Sequence, residues 1–136
     1  MEIMKKNQEF IVEIEDMSEE GAGIGKTDGY TWFIKDTVIG DVVRAGAMKM
    51  KKHYGFARLV EVLTPSPARV EPRCPVARQC GGCQLQAMDY QAQLAFKEKK
   101  IYNDLCRIGG LKDFKPEDME PIIGMEGPWR YRNKAQ

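Results

Sequence analysis

The chain has 136 residues and a formal net charge of +1, with 30% charged and 43% hydrophobic residues. That length suits one domain or two small ones and is too short for a full cofactor-binding fold joined to a separate substrate domain. The composition excludes wholesale disorder, near-neutrality excludes a polycationic nucleic-acid binder, and no run nears the ~18 apolar residues of a membrane span. The N-terminus, MEIMKKNQEF, has no apolar core behind its lysines. It is therefore not a secretory signal, and a cytoplasmic location is expected. Charge is uneven along the chain. Residues 1–65 carry 9 Lys and Arg against 11 Asp and Glu, while residues 66–136 carry 12 against 9.

The first part reads as β. From Gln8 to Asp16, Phe10, Val12 and Ile14 alternate with glutamates, the period of a strand with one buried face; Ile11 is the exception. The glycine-rich stretch Ser18 to Gly25 reads as a tight bend or bulge between strands. Asp28-Gly29 is a hairpin signal leading into an aromatic, β-branched strand, Tyr30 to Ile34. Val38-Ile39-Gly40-Asp41 turns into a strand from Val42 to Lys51. A last strand, Tyr54 to Leu63, offers Phe56, Leu59 and Val62 to the core. Five short strands with tight turns and no helix signal fit a small closed barrel of the OB type, which removes the exposed edges of a flat sheet.

Thr64-Pro65-Ser66-Pro67-Ala68 reads as a linker. A cysteine segment follows, and then one long helix. Asp89 is its N-cap, Gly109-Gly110 its stop, and Tyr90, Leu94, Ile101, Leu105 and Ile108 its apolar stripe. The remainder is loop punctuated by Pro and Gly, closing on a strand-like stretch from Trp129 to Lys134. The fold class is thus mainly β with an α segment. Expected divisions are a barrel over 1–65, a cysteine segment with its helix over 66–128, and a third part beginning at 129. A chain that stops within a strand, with no cap or polar tail, reads as a piece of a longer protein.

Cys74, Cys80 and Cys83 lie within ten residues in the pattern Cys-x5-Cys-Gly-Gly-Cys. Glycines let backbone wrap closely around a group bound by thiolates, and four cysteines in a cytosolic chain point to metal or thiol chemistry more than to disulfides. Zinc and iron–sulfur both take such ligands. Three cysteines leave a site one ligand short. The remaining one, Cys106, lies on the helix about 100° or more from the centre of its apolar stripe.

Cys74-Pro75-x4-Cys80-Gly81-Gly82-Cys83-Gln84-x-Gln86, followed by Tyr90-x-x-Gln93-Leu94-x-x-Lys97, resembles the RNA uracil-C5 methyltransferases that carry a 4Fe-4S cluster. Within that family it is closest to the bacterial enzymes acting on 23S rRNA. Gly21-x-Gly23-Ile24 and Ile39-Gly40-Asp41-x-Val43 resemble the family's TRAM barrel, and Trp129-x-Tyr131-Arg132-Asn133-Lys134 its entry into a central RNA-binding domain. The resemblance implies that Cys74, Cys80 and Cys83 are cluster ligands, with a fourth cysteine beyond Gln136. It also implies a Rossmann-like domain, absent from these 136 residues, that binds S-adenosylmethionine. There a cysteine would attack uracil C6 so that C5 can accept a methyl group. No residue of 1–136 is catalytic on this reading, and Cys106 matches no family ligand. The implied partner is rRNA, with tRNA an alternative and neither DNA nor membrane expected. The cluster's expected task is to fix loop geometry facing RNA, since methyl transfer moves no electron. Apolar surface at the end of such a piece would favour non-native association.

Other patterns carry less. Gly21 to Thr27 suggests a phosphate loop, but the position requiring the first glycine is Glu20, and no helix follows. Lys49, Lys51 and Lys52 beside Tyr54 form a basic hairpin tip suited to RNA, Lys49 and Lys51 sharing a face by period two; a solvated turn with Tyr54 and Phe56 in the core is the alternative. Arg130, Arg132 and Lys134 alternate as on one strand face, suited to RNA phosphates or to acids of another domain. His53 alone reads as an exposed turn residue. A standalone zinc or iron–sulfur RNA-binding module is the second functional reading. An electron carrier is the third, disfavoured because 22 residues separate the third and fourth cysteines.

Overall fold

Alternation along the first strand decides which side of the chain becomes interior. In the computed structural model, which describes residues 5–132, β1 (Glu9–Met17) buries Phe10, Val12, Ile14 and Met17 and turns Ile11 outward. It is followed by β2 (Gly23–Thr27), β3 (Tyr30–Ile34), β4 (Val42–Met50) and β5 (Tyr54–Thr64). These close into a barrel in the order β1-β2-β3-β5-β4, antiparallel except for the β3–β5 seam. The strands named from the sequence match within one residue at each end. The glycine-rich stretch matches in part: Ser18 to Ala22 form the tight bend, with Gly21 at φ 82°, while Gly23 and Gly25 lie inside β2 and the bulge sits across from them in β1, between Ile14 and Asp16. A Cβ on Gly23 would collide with Oγ1 of Thr37, so glycine is what lets β2 approach the β3–β4 turn. The Asp28-Gly29 hairpin forms with both residues at positive φ, 49° and 82°, the signature of a type I′ turn.

The interior of so small a barrel is narrow. Trp32 fills much of it, its ring centroid 4.5 Å from that of Phe10 and its Nε1–H donating to Thr27 Oγ1 at 2.9 Å. The wall around it is built small, from Ala45, Ala47 and Ala57. A Cβ on Gly55 would lie 2.8 Å from Trp32 Cζ3. Strand β5 therefore turns Gly55, Ala57 and Leu59 inward and Tyr54, Phe56 and Arg58 outward. Phe56 is thus not a core residue; Leu59 is buried and Val62 packs partly against the core.

Asp41, at the start of β4, has no exposed surface. Its Oδ2 accepts the Val38 N–H at 2.8 Å and its Oδ1 the Ser66 N–H at 2.8 Å. Arg69 donates from Nε at 3.1–3.2 Å to both oxygens and from Nη2 at 2.6 Å to Oδ2. The proline-flanked stretch read as a linker is consequently seated on the barrel, with Ser66 buried. Arg69 in turn pairs with Met88 in an isolated antiparallel bridge. Val70 N–H to Ala87 O and Asp89 N–H to Ala68 O, both 2.7 Å, close the base of the cysteine loop. Contacts divide the chain into two units, Met1–Asp89 and Tyr90–Gln136, so the cysteine loop belongs with the barrel.

In the second unit α2 (Tyr90–Arg107) runs where the stripe and its flanking signals placed it. Gly110 follows at φ 70°, the left-handed conformation that ends helices. Tyr102 stacks on Phe114 at 5.9 Å, and the Tyr90 hydroxyl accepts the Met125 N–H at 2.9 Å. The stripe is not buried: Ile101 and Ile108 are exposed.

Burial alone would raise the Asp41 carboxyl's pKa. The Arg69 hydrogen bonds, the Ser66 and Val38 N–H groups and the Arg69 charge outweigh it and hold the group below its ordinary 3.8. A depressed native pKa stabilises the fold above the unfolded value and stops doing so as pH falls through the native one. Asp41→Ala is expected to cost about 3 kcal/mol in urea denaturation at pH 7, because it strands Arg69 and two backbone donors. The difference from the parent should shrink as pH drops below about 4.

Candidate nucleic-acid interface and cysteine loop

Three aromatic rings meet on the outside of the barrel. Phe33 from β3 and Tyr54 and Phe56 from β5 have centroids 5.8–5.9 Å apart. Phe33 and Phe56 are tilted by only 33°, while Tyr54 stands at 89° and 81° to them. Tyr54 is 40% exposed and Phe56 38%. The parallel register of β3 and β5, pairing Phe33 with Phe56, brings the rings together. They line a groove of about 570 Å³ with Met48, Lys35 and Arg58; Glu19 and Glu20 of the β1–β2 loop border it too. Flat, exposed rings beside cations are the elements on which unpaired bases stack while phosphates are neutralised.

The basic tip adjoins this face. Tyr30 fixes it: its hydroxyl donates to the Lys51 carbonyl at 2.8 Å, also reaches that of Tyr54, and accepts the Lys51 N–H at 3.1 Å. Lys49, Lys51, Lys52, His53 and Tyr54 are all exposed, so the alternative with Tyr54 and Phe56 in the core is excluded. From Lys49 to Lys51 the exposure alternates, with Met50 packed partly against the core between them. A bulge turns the consecutive Met48 and Lys49 both outward, and the strand ends at Met50.

Arg130 and Arg132 do not lie on a strand. Arg130 adopts φ 59°, which breaks the alternation, and no strand pairs with residues 129–132 among the described residues. Arg132 sits 5.9 Å from the Tyr131 ring centroid. Lys134 lies outside the described residues.

All four cysteines are free thiols: Cys80 is exposed, and Cys74, Cys83 and Cys106 are half-buried. A short helix, α1 (Ala77–Cys80), ends at Cys80 and is capped by Gly81 at φ 71°. The Cys74 N–H donates to Gln86 Oε1 at 3.2 Å across the loop. Cys74 and Cys83 border one groove of about 410 Å³. The donor set suits a group bound by thiolates. Among the described residues, no three His, Cys, Asp or Glu side chains stand together as a ready-made metal site. Cys106 lies in the second unit, its Sγ 3.9 Å from the Phe114 carbonyl oxygen.

The sequence reading passed over Phe33, Met48, Lys35, Arg58 and Arg78. The signal was present in β5: a strand facing a tryptophan-filled interior shows its small residues inward.

Residues 4–60, which take in nearly all of the barrel, match the family model described as the TRAM domain. The whole chain is similar to an uncharacterized RNA methyltransferase of Listeria monocytogenes, 47% identical over 98% of this chain and 29% of that protein. Uncharacterized RNA methyltransferases of Halalkalibacterium halodurans and Clostridium tetani are 48% and 41% identical, over 98% of this chain and 28% of each. The chain spans under a third of the length of these relatives.

Thiol exposure gives an ordered expectation. In brief alkylation of the metal-free protein followed by mass spectrometry, Cys80 should be modified before Cys74 and Cys83. Tyr30→Phe should cost about 1 kcal/mol in chemical denaturation by releasing the tip.

Proposed function

We propose that this chain is the RNA-recognising part of a larger S-adenosylmethionine-dependent uracil-C5 methyltransferase acting on 23S rRNA. The observation that carries the reading is that 41–48% identity to RNA methyltransferases runs through both the barrel and the cysteine loop. The outer face supports it with a mechanism of binding. An unpaired base stacks against Phe33, Phe56 and Tyr54, and Lys49, Lys51 and Lys52 meet the flanking phosphates. Unpaired bases are also what a C5 methyltransferase must reach, since a base within a helix stack is shielded.

Cys74, Cys80 and Cys83 would hold a 4Fe-4S cluster, with a fourth cysteine from beyond Gln136. When bound, such a cluster supplies fixed iron–thiolate bonds that lock the loop. The chain's own residues do the rest: the bridge between Arg69 and Met88 holds the loop's base, and Gln86 holds the Cys74 backbone. The methyl donor belongs to the part of the protein outside this chain.

Two measurements test the reading. Strictly anaerobic purification should give iron and sulfide near four each per chain with a broad band around 400 nm. One zinc without sulfide would replace the enzyme reading by a zinc RNA-binding module. A uracil-rich single-stranded RNA should bind, and Phe56→Ala should weaken it by about fivefold or more while leaving the fold intact. Unchanged affinity would remove the aromatic face from the interface.

A further inference from the structure

The aromatic groove and the cysteine-lined groove share a wall. Asp36, Leu59 and Arg78 line both, and these three residues form one bonded unit. Arg78 Nη2 donates to the Leu59 carbonyl at 2.7 Å, and its Nε lies 3.4 Å from Asp36 Oδ2. The Leu59 carbonyl stands at a bulge: Ala45 pairs with Leu59 and Arg44 with Glu61, leaving Val60 as the extra residue of β5. A bulge disrupts the ladder locally, so a carbonyl there has room for a side-chain donor. Arg78 supplies it from α1, the turn that ends in Cys80. Its side chain is still 57% exposed, so the guanidinium is tethered on one side and open on the other. Lys35 and Arg58 border the same groove.

We propose that the cysteine loop is itself part of the RNA interface, through Arg78. The guanidinium takes an RNA phosphate at the edge of the aromatic groove, and the Leu59 carbonyl and Asp36 hold it in place. RNA affinity therefore depends on how the cysteine loop is seated on the barrel. By linkage, bound RNA also holds the loop in its seat. This inference rests on the RNA-binding reading above and adds that the barrel alone is an incomplete site.

The test titrates a uracil-rich single-stranded RNA into the chain at several salt concentrations and follows alkylation of Cys74 and Cys83. Arg78→Gln should weaken binding about fivefold and lower the salt slope by about 0.7, the loss of one phosphate contact on a single strand. The same substitution should speed modification of both thiols. Arg78→Lys should restore the salt slope, because it keeps a charge, but not the slow thiol rates, because an ammonium lacks the guanidinium's two-edged reach. In the parent, saturating RNA should slow modification of Cys74 and Cys83, a readout that needs no variant. An Arg78→Gln protein with a parent-like circular dichroism spectrum, affinity and salt slope would overturn the proposal. Thiol rates in the parent that ignore RNA would do the same. A parent that binds no RNA takes down the RNA-binding reading as well, and its own titration distinguishes that case.

Discussion

A single buried carboxylate joins the parts of the first unit that carry chemistry. Asp41 sits at the end of the β3–β4 turn and satisfies the turn's own Val38 N–H, the Ser66 N–H that follows the barrel, and the Arg69 guanidinium. Arg69 is the strand-like residue at the base of the cysteine loop. A charge with no exposed surface is tolerated only when such donors surround it. The donors come from two stretches of chain, the β3–β4 turn and the segment from Ser66 to Arg69, so their meeting fixes the base of the cysteine loop to the barrel. The second attachment, at Arg78, lies on α1 and uses the Leu59 carbonyl at the irregularity of β5 together with the Asp36 carboxylate. Between them the loop is held at its root and near its tip.

The barrel's chemistry follows from the volume of one residue. Trp32 claims the interior, so the facing positions are alanine and glycine, and the larger side chains of β5 are displaced to the outside. Aromatics on an outer strand face are costly unless they serve a partner. Here they gather beside Lys49, Lys51 and Lys52, whose turn is pinned by the Tyr30 hydroxyl. Core packing and the composition of the exposed face are thus two results of the same alternation.

Much of this was legible in the residues. Strong period-two alternation in β1, the Asp28-Gly29 turn, and the extent and glycine stop of α2 all read correctly because each is a local signal. Three features did not. Phe56 looked like core because size suggests burial, whereas the space it would need was already taken by Trp32. Ser66 looked like linker because prolines flank it, whereas its partner Asp41 lies 25 residues earlier. Arg130 and Arg132 looked like strand because alternation alone cannot supply a pairing neighbour or foresee the positive φ at Arg130. The cysteine motif was readable as a donor set, but spacing says nothing of how Arg78 within it would meet the barrel.

The Asp41 cluster also bears on the order in which the chain is made. All five strands exist once Thr64 has been added, and the TRAM match itself ends at residue 60. At that stage Asp41 still lacks Ser66 and Arg69, so a closed barrel would enclose a carboxylate with most of its donors missing. The closing strand pair of β3 and β5 and the compensation of this charge are therefore separated by several residues of synthesis. The smallest autonomous folding piece is then longer than the domain's family boundary suggests: it reaches at least to Arg69, and to Asp89 if the bridge that orients Arg69 is to form.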